Sequence, residues 1–181
     1  MKRWFGILLA VGAFAPTPGM AGGLKNLTEA ELDAYHALVP FMTDDQEKLF
    51  LKIKLPEERV AYLKEQKLVG GSQTAATLYE LWYRFDDETR AAITSGDVKT
   101  GWSQDMMFMA WGEPFNRNRL TGRPASRSEL FQYRFEVAED GSVLVWVPKS
   151  KESYKSVDAF QLDIYVDDGR ITEIIKKDDW E

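Results

Sequence analysis

The chain holds 181 residues, with 29 acidic against 23 basic side chains and 44% hydrophobic residues, enough for one core or one core with an appendage. It has no cysteine and a single histidine, which excludes disulfides, thiolate metal sites, a lipid-modified cysteine and two-histidine metal motifs. A formal net charge of −6 favours solubility and argues against nonspecific nucleic-acid binding.

Lys2 and Arg3 precede an apolar run over residues 4–15, followed by Pro16, Pro18 and the small-residue site Gly19-Met20-Ala21. This tripartite pattern predicts a secretory signal peptide over residues 1–21, cleaved after Ala21. The apolar run is shorter than the roughly 18–20 residues that span a bilayer. The cleaved chain is therefore expected to be periplasmic or secreted, without a transmembrane span and without a lipid anchor. Loss of Lys2 and Arg3 leaves 21 basic against 29 acidic side chains and moves the net charge from −6 to −8.

Residues 22–86 read as a helical N-terminal region. Thr28 and Glu31 form a capping box for a first helix that runs to about residue 38, with Leu27 stapled onto Leu32. Thr43 and Gln46 repeat the box for a second helix, whose inner side holds Leu49, Phe50 and Ile53. Pro56 opens a third helix over residues 56–67, with Val60 and Leu63 inward. Gly70-Gly71-Ser72 reads as a hinge-like break. In a fourth helix, over residues 74–85, Leu78, Leu81, Trp82 and Phe85 follow the 3.6-residue period of a buried stripe.

Residues 87–181 read as an α+β domain. A short helix over residues 88–93 leads to Gly101-Trp102-Ser103-Gln104-Asp105-Met106-Met107. There Gly101 breaks the chain, Ser103 is an N-cap, Gly112 stops the helix and Pro114 prevents its resumption. From Glu129 the period changes to two. Phe131, Tyr133, Phe135 and Val137 mark one strand, and Val143, Val145 and Val147 a second. Phe160, Leu162, Ile164 and Val166 mark a third, and residues 171–175 a fourth. Asp140-Gly141 and Asp168-Gly169 are turn signals between pairs of these strands. Four sequential strands predict an antiparallel meander with one face covered by helices, a two-layer arrangement.

Gly101-Trp102-Ser103-Gln104-Asp105, then Met107, then Ala110-Trp111-Gly112-Glu113-Pro114, resembles the G-M-T-x-E-x-V-x-x-x-x-G-x-P signature of the SmpA/OmlA (BamE-like) family. Glu129, Phe131 and Tyr133 are similar to the start of that family's first strand. Tyr165-Val166-Asp167-Asp168-Gly169-Arg170-Ile171 is similar to its F-x-x-G-x-L ending. The resemblance covers residues 87–177. It implies two short helices before a small antiparallel sheet, and a binding role: accessory to outer-membrane assembly, or inhibitory toward a secreted hydrolase. The chain departs from the family in lacking the anchoring cysteine and in carrying the helical region of residues 24–85.

No residue set asks for catalysis or a cofactor. His36 has no motif partners and reads as a solvated surface histidine. No G-x-S-x-G elbow or P-loop is present. A carboxylate-dependent hydrolase would draw on Asp44-Asp45, Asp86-Asp87-Glu88 or Asp167-Asp168, but these sit where helix starts and turns favour acids. Residues 115–128 reverse the sign of the chain, with Arg117, Arg119, Arg123 and Arg127 and no acid. Arginine forks grip carboxylates and phosphates, so this loop is a candidate for an acidic partner or an anionic lipid; a connector paired with the chain's own acids is the other reading. Trp102, Trp111 and Phe115 join the candidate surface if exposed beside the arginines, and belong to the fold if buried. The expected role is an exported, non-enzymatic envelope protein acting by protein–protein contact. The alternative is an inhibitor or ligand-binding module that uses the sheet face and the arginine loop.

Overall fold

Capping chemistry sets where each helix begins. In the computed structural model, which describes residues 24–68, 70, 77–146 and 155–178, α1 spans Glu29–Leu38. The Thr28 hydroxyl accepts the Glu31 N–H, and the Glu31 carboxylate accepts the Thr28 N–H at 2.9 Å. Pro40 then narrows the chain into a single 3₁₀ turn, Val39–Phe41. Helix α2, Asp44–Lys52, starts on the Thr43–Gln46 box, and α3, Pro56–Glu65, starts on its proline. Helix α4, Leu78–Arg84, uses a Thr77–Glu80 box that periodicity alone did not mark. Asp86 caps α5, Asp87–Thr94, and Ser103 caps α6, Gln104–Trp111. The predicted leader over residues 1–21 lies outside the described residues, as do Gly71, Ser72 and Val147.

The stripes point inward largely as their spacing predicts. Leu78 and Trp82 are buried, with Leu81 and Phe85 partly so, and Leu63 and Phe50 are buried on their own helices. Leu49 is the exception. It is 53% exposed, because α2 turns Phe50, and in part Leu51, to the core in its place.

Helix α6 is the centre of the molecule. Every residue of it except Met106 is buried. On one side Phe108 meets Phe131 edge-on at 5.6 Å, and Trp111 meets Tyr133 and Phe135 at 5.1 and 5.2 Å. On the other side Phe108 reaches Phe41 below α1 at 6.2 Å. Its exit is fixed by Gly112 at φ 71, a left-handed conformation that suits glycine, and by the Tyr133 hydroxyl, which donates to the Gly112 carbonyl at 2.8 Å.

The sheet on which α6 lies is antiparallel and five-stranded: β1 Asn116–Leu120, β2 Ser128–Ala138, β3 Val143–Val145, β4 Ser156–Asp167 and β5 Arg170–Lys177. Two expectations are corrected here. The order is β1-β2-β4-β5, with β3 beside β1 on the same edge of β2, so the strands are not a simple meander. The long alternating runs of β2 and β4 seek each other along their whole length, from Ser128↔Asp167 to Ala138↔Ser156. The three residues of β3 offer too short a partner to come between them. The second correction is β1 itself, read from sequence as part of a connector.

The helical region and the sheet share one hydrophobic cluster. Ala34, Leu38, Phe50, Leu63, Leu78 and Trp82 join Met107, Phe131, Leu162 and Ile171 in it. Gly70, at the expected break, lies hard against α6. A Cβ there would fall 2.1 Å from the Asp105 carboxylate, and Asp105 is itself buried. Gly70→Ala is therefore expected to destabilise by about 1–3 kcal/mol through overpacking, read as a lower urea midpoint at unchanged slope.

Candidate interaction surface

Strand β1 carries the sequence Asn-Arg-Asn-Arg-Leu, and the period of two splits it by chemistry. Arg117 lies opposite Phe131 and Arg119 opposite Glu129, on the face of the sheet that the helices cover. Asn116 and Asn118 take the other face. Arg117 rests over the Phe131 ring at 5.0 Å and binds Glu129 at 2.9 Å. Arg127 binds the second oxygen of the same carboxylate at 2.9 Å. Glu129 is almost fully buried under this pair, and exposed Arg119 stands beside it across the ladder.

The rest of the loop is anchored on the β4–β5 turn. Arg123 makes a two-pronged ion pair with Asp167, at 2.8 and 3.0 Å, and covers Tyr165 at 5.1 Å. Asp168 accepts the backbone N–H groups of Ser126 and Arg127. The Arg123 guanidinium holds the Asp167 carboxyl down at about 2. Since that folded value lies below the ordinary carboxylate value of 3.8, the ion pair stabilises above that range and the increment is lost as pH falls towards 2. Arg123→Ala is expected to lower stability at pH 6, with the two proteins converging near pH 2 in a denaturation series.

The opposite face of the sheet gathers a second group. Asn116 donates to Gln132 at 2.9 Å, and Gln132 and Gln161 both donate to one oxygen of Asp163, at 3.0 and 2.7 Å. Lys177 reaches its other oxygen at 2.6 Å. Burial pushes the Asp163 carboxyl up, yet Lys177, Gln132 and Gln161 together hold it below its usual value. Beside this row Arg134 sits between two rings, 3.7 Å from Phe115 and 5.6 Å from Trp146. Phe115 is exposed and meets Trp146 edge-on at 5.4 Å. Arg134 and Trp146 escaped the sequence reading, since only the register of β2 and β3 brings them to Phe115.

The remaining candidates separate cleanly. Trp111 is buried, with its indole N–H donating to the Gly96 carbonyl at 3.0 Å, so it belongs to the core and not to a surface. Trp102 is half-buried against the core, and its carbonyl accepts the Ile171 N–H at 2.8 Å. Gly101 adopts φ 87 and donates to the Ile171 carbonyl at 2.7 Å. Ser103 caps α6, and Pro114 follows its end. His36 is half-buried edge-on against Tyr35 rather than fully solvated, because α1 packs into the molecule on that side; burial lowers its pKa. Asp86 serves as an N-cap, Asp87 pairs with Arg90, and Asp44 and Asp45 lie in the first turn of α2. Among the described residues no group of three His, Cys, Asp or Glu side chains is placed to hold a metal ion.

The surface therefore brings together Arg117, Arg119 and Arg127 around Glu129, and holds Arg123 on Asp167 at the loop's far end. Phe115 lies on the opposite sheet face, with Arg134. Comparison of the chain with protein-family models, curated proteins and solved structures finds no match.

Proposed function

We propose that this is an exported, non-enzymatic cell-envelope protein that works by protein–protein contact through the arginine-bearing edge of its sheet. The observation behind the reading is the grouping of that charge. In a chain of net charge −6, four arginines lie within eleven positions, and two acids, Glu129 and Asp167, hold three of them in fixed places. The arginine ends of these pairs remain 31–46% exposed, within reach of a partner. What they supply is a preset geometry for a partner's anionic groups.

The two short helices before an antiparallel sheet agree with the BamE-like domain that the 101–114 motif resembles, and the accessory role in outer-membrane assembly or maintenance is carried over from that resemblance. The reading also assigns residues 1–21 as a cleaved leader and the periplasm, or the medium, as the compartment. A second reading, a ligand-binding or inhibitor module, is favoured by Arg134 between Phe115 and Trp146, an aromatic-and-cation arrangement on the other sheet face.

A photo-crosslinking residue at exposed position 118, in the full chain expressed in its own cells, tests the first reading while leaving the arginines in place. The expected result is a mature protein shortened by 21 residues and a discrete crosslinked protein, absent when the probe is at exposed position 61. A chain retained in the cytoplasm, or identical adducts from both positions, overturns it. Adducts only from a probe at position 115 would replace it with the second reading.

A further inference from the structure

Strand β1 ends the sheet. It pairs with β2 on one side, no described strand pairs with it on the other, and Asn116, Arg117, Asn118 and Arg119 are all exposed. Such an edge presents backbone N–H and C=O groups to any extended chain, and natural sheets usually guard it with charge; here the Asn116 side chain also accepts the Arg117 N–H at 2.9 Å, a bond an incoming strand would replace. Here the charge is of one sign and regular. Arg117 and Arg119 project from one face at a spacing of two residues, and Glu129, the acid that pairs with Arg117, is also bound by Arg127. No described partner binds the Arg119 guanidinium.

We infer that the β1 edge takes up an extended acidic segment of a partner protein by strand addition, its carboxylates at alternate positions facing Arg117 and Arg119. The inference rests on the protein-contact reading above and names the chemistry of the partner. Main-chain hydrogen bonds supply affinity in this mode, and side chains at every second position supply the selection. An added strand sets its residues directly opposite those of β1, where an opposite charge is favoured and a like charge is not. A polar residue between the acids would meet Asn118 on the other face, and one flanking them would meet Asn116.

The same rule excludes a second copy of β1 as the occupant. The symmetric antiparallel pairing places Arg117 opposite Arg119 twice, and the in-register parallel pairing sets each arginine beside its twin. The edge therefore discriminates against itself while remaining open to acidic strands, a difference of affinities built from one feature.

Fluorescence anisotropy with the full chain tests this, using labelled ten-residue peptides of alternating Thr and Glu, alternating Thr and Lys, and the Thr/Glu peptide N-methylated at every second residue. Saturable binding of the Thr/Glu peptide alone is expected. It should weaken by at least about tenfold with Arg119→Glu, which removes one charge-assisted bond and adds repulsion. Hydrogen exchange should slow over residues 116–120 in the complex. Equal binding of the N-methylated peptide would show charge attraction without strand addition and overturn the inference. Binding to vesicles of anionic phospholipid with none to the Thr/Glu peptide overturns it in favour of a membrane, and self-association abolished by Arg119→Glu overturns it in favour of a second copy. If position 118 crosslinks an envelope protein while the Thr/Glu peptide does not bind, strand addition falls and the protein-contact reading stands; peptide binding without a crosslink gives the reverse.

Discussion

Arg59→Ala is expected to destabilise the protein by about 3–5 kcal/mol, the range for stripping one partner from a buried ion pair. Arg59 is 2% exposed, yet its guanidinium is satisfied. Nε and Nη2 grip the two oxygens of Glu31 at 2.8 and 3.0 Å, and Nη1 donates to the carbonyls of Ile53 and Lys54 at 3.0 Å. The alanine variant strips these four acceptor oxygens of the Arg59 donors and opens a cavity in the same step. Arg59→Lys should lose a large part of this too, because an ammonium cannot reproduce the fork. Urea denaturation measures both, and a variant within about 0.5 kcal/mol of the parent would contradict the account. The pH dependence has a definite sign. Arg59 holds the Glu31 carboxyl below the value of 4.5, so the pair stabilises above that range and its contribution declines as the medium becomes more acid. The gap between parent and Arg59→Ala should narrow accordingly below pH 4.5.

Trp111→Ala is expected to cost about 3–5 kcal/mol, as truncation of a fully buried ring does. The ring fills the space between α6 and the sheet against Tyr133 and Phe135, and its N–H serves the Gly96 carbonyl after α5. Trp111→Phe separates the two contributions. It retains much of the apolar volume but leaves the buried Gly96 carbonyl with only the Val98 N–H, at 3.0 Å, which costs about 0.5–1.5 kcal/mol for the lost hydrogen bond. Thermal and urea unfolding of both variants would establish the order, and a phenylalanine variant as damaged as the alanine variant would assign the whole effect to the lost hydrogen bond.

Local chemistry was legible in the sequence where it acts over three or four residues. The boxes at Thr28–Glu31 and Thr43–Gln46, Pro56 at a helix start and the Ser103 cap fall where the letters place them. The long alternating strands were legible for the same reason, since a period of two over eight or more residues has no helical counterpart. Strand β1 was not, because its two faces carry Asn and Arg, and no apolar alternation distinguishes such an edge from a connector. Strand order was also hidden: it depends on which runs match in length, a comparison between distant segments. Arg59 was invisible as a buried residue because an arginine in a Pro-Glu-Glu-Arg turn reads as solvated. In the candidate surface, the reversal of charge over residues 115–128 could be seen. The acids that fix it, one in a strand start and one beside a turn, could not be assigned before the strands had a register.

The backbone bonds that tie Gly101, Trp102 and Gln104 to Gly169 and Ile171 have a consequence for the time course of folding. They join residues 65 to 70 positions apart, and the Arg170–Gly101 hydrogen bond spans 69. Closing so long a loop is entropically expensive, and the contacts that compensate for it arrive only together. The N-terminal end of the helix at the heart of the core therefore stays untied until the closing hairpin has been made, even where Phe108 and Trp111 already rest on β2. A nascent chain halted before β2 would expose Phe108 and Trp111, and one halted before the hairpin would leave β2 without its long partner β4; both would remain open to chaperones, to proteases and to any machinery that threads unfolded polypeptide.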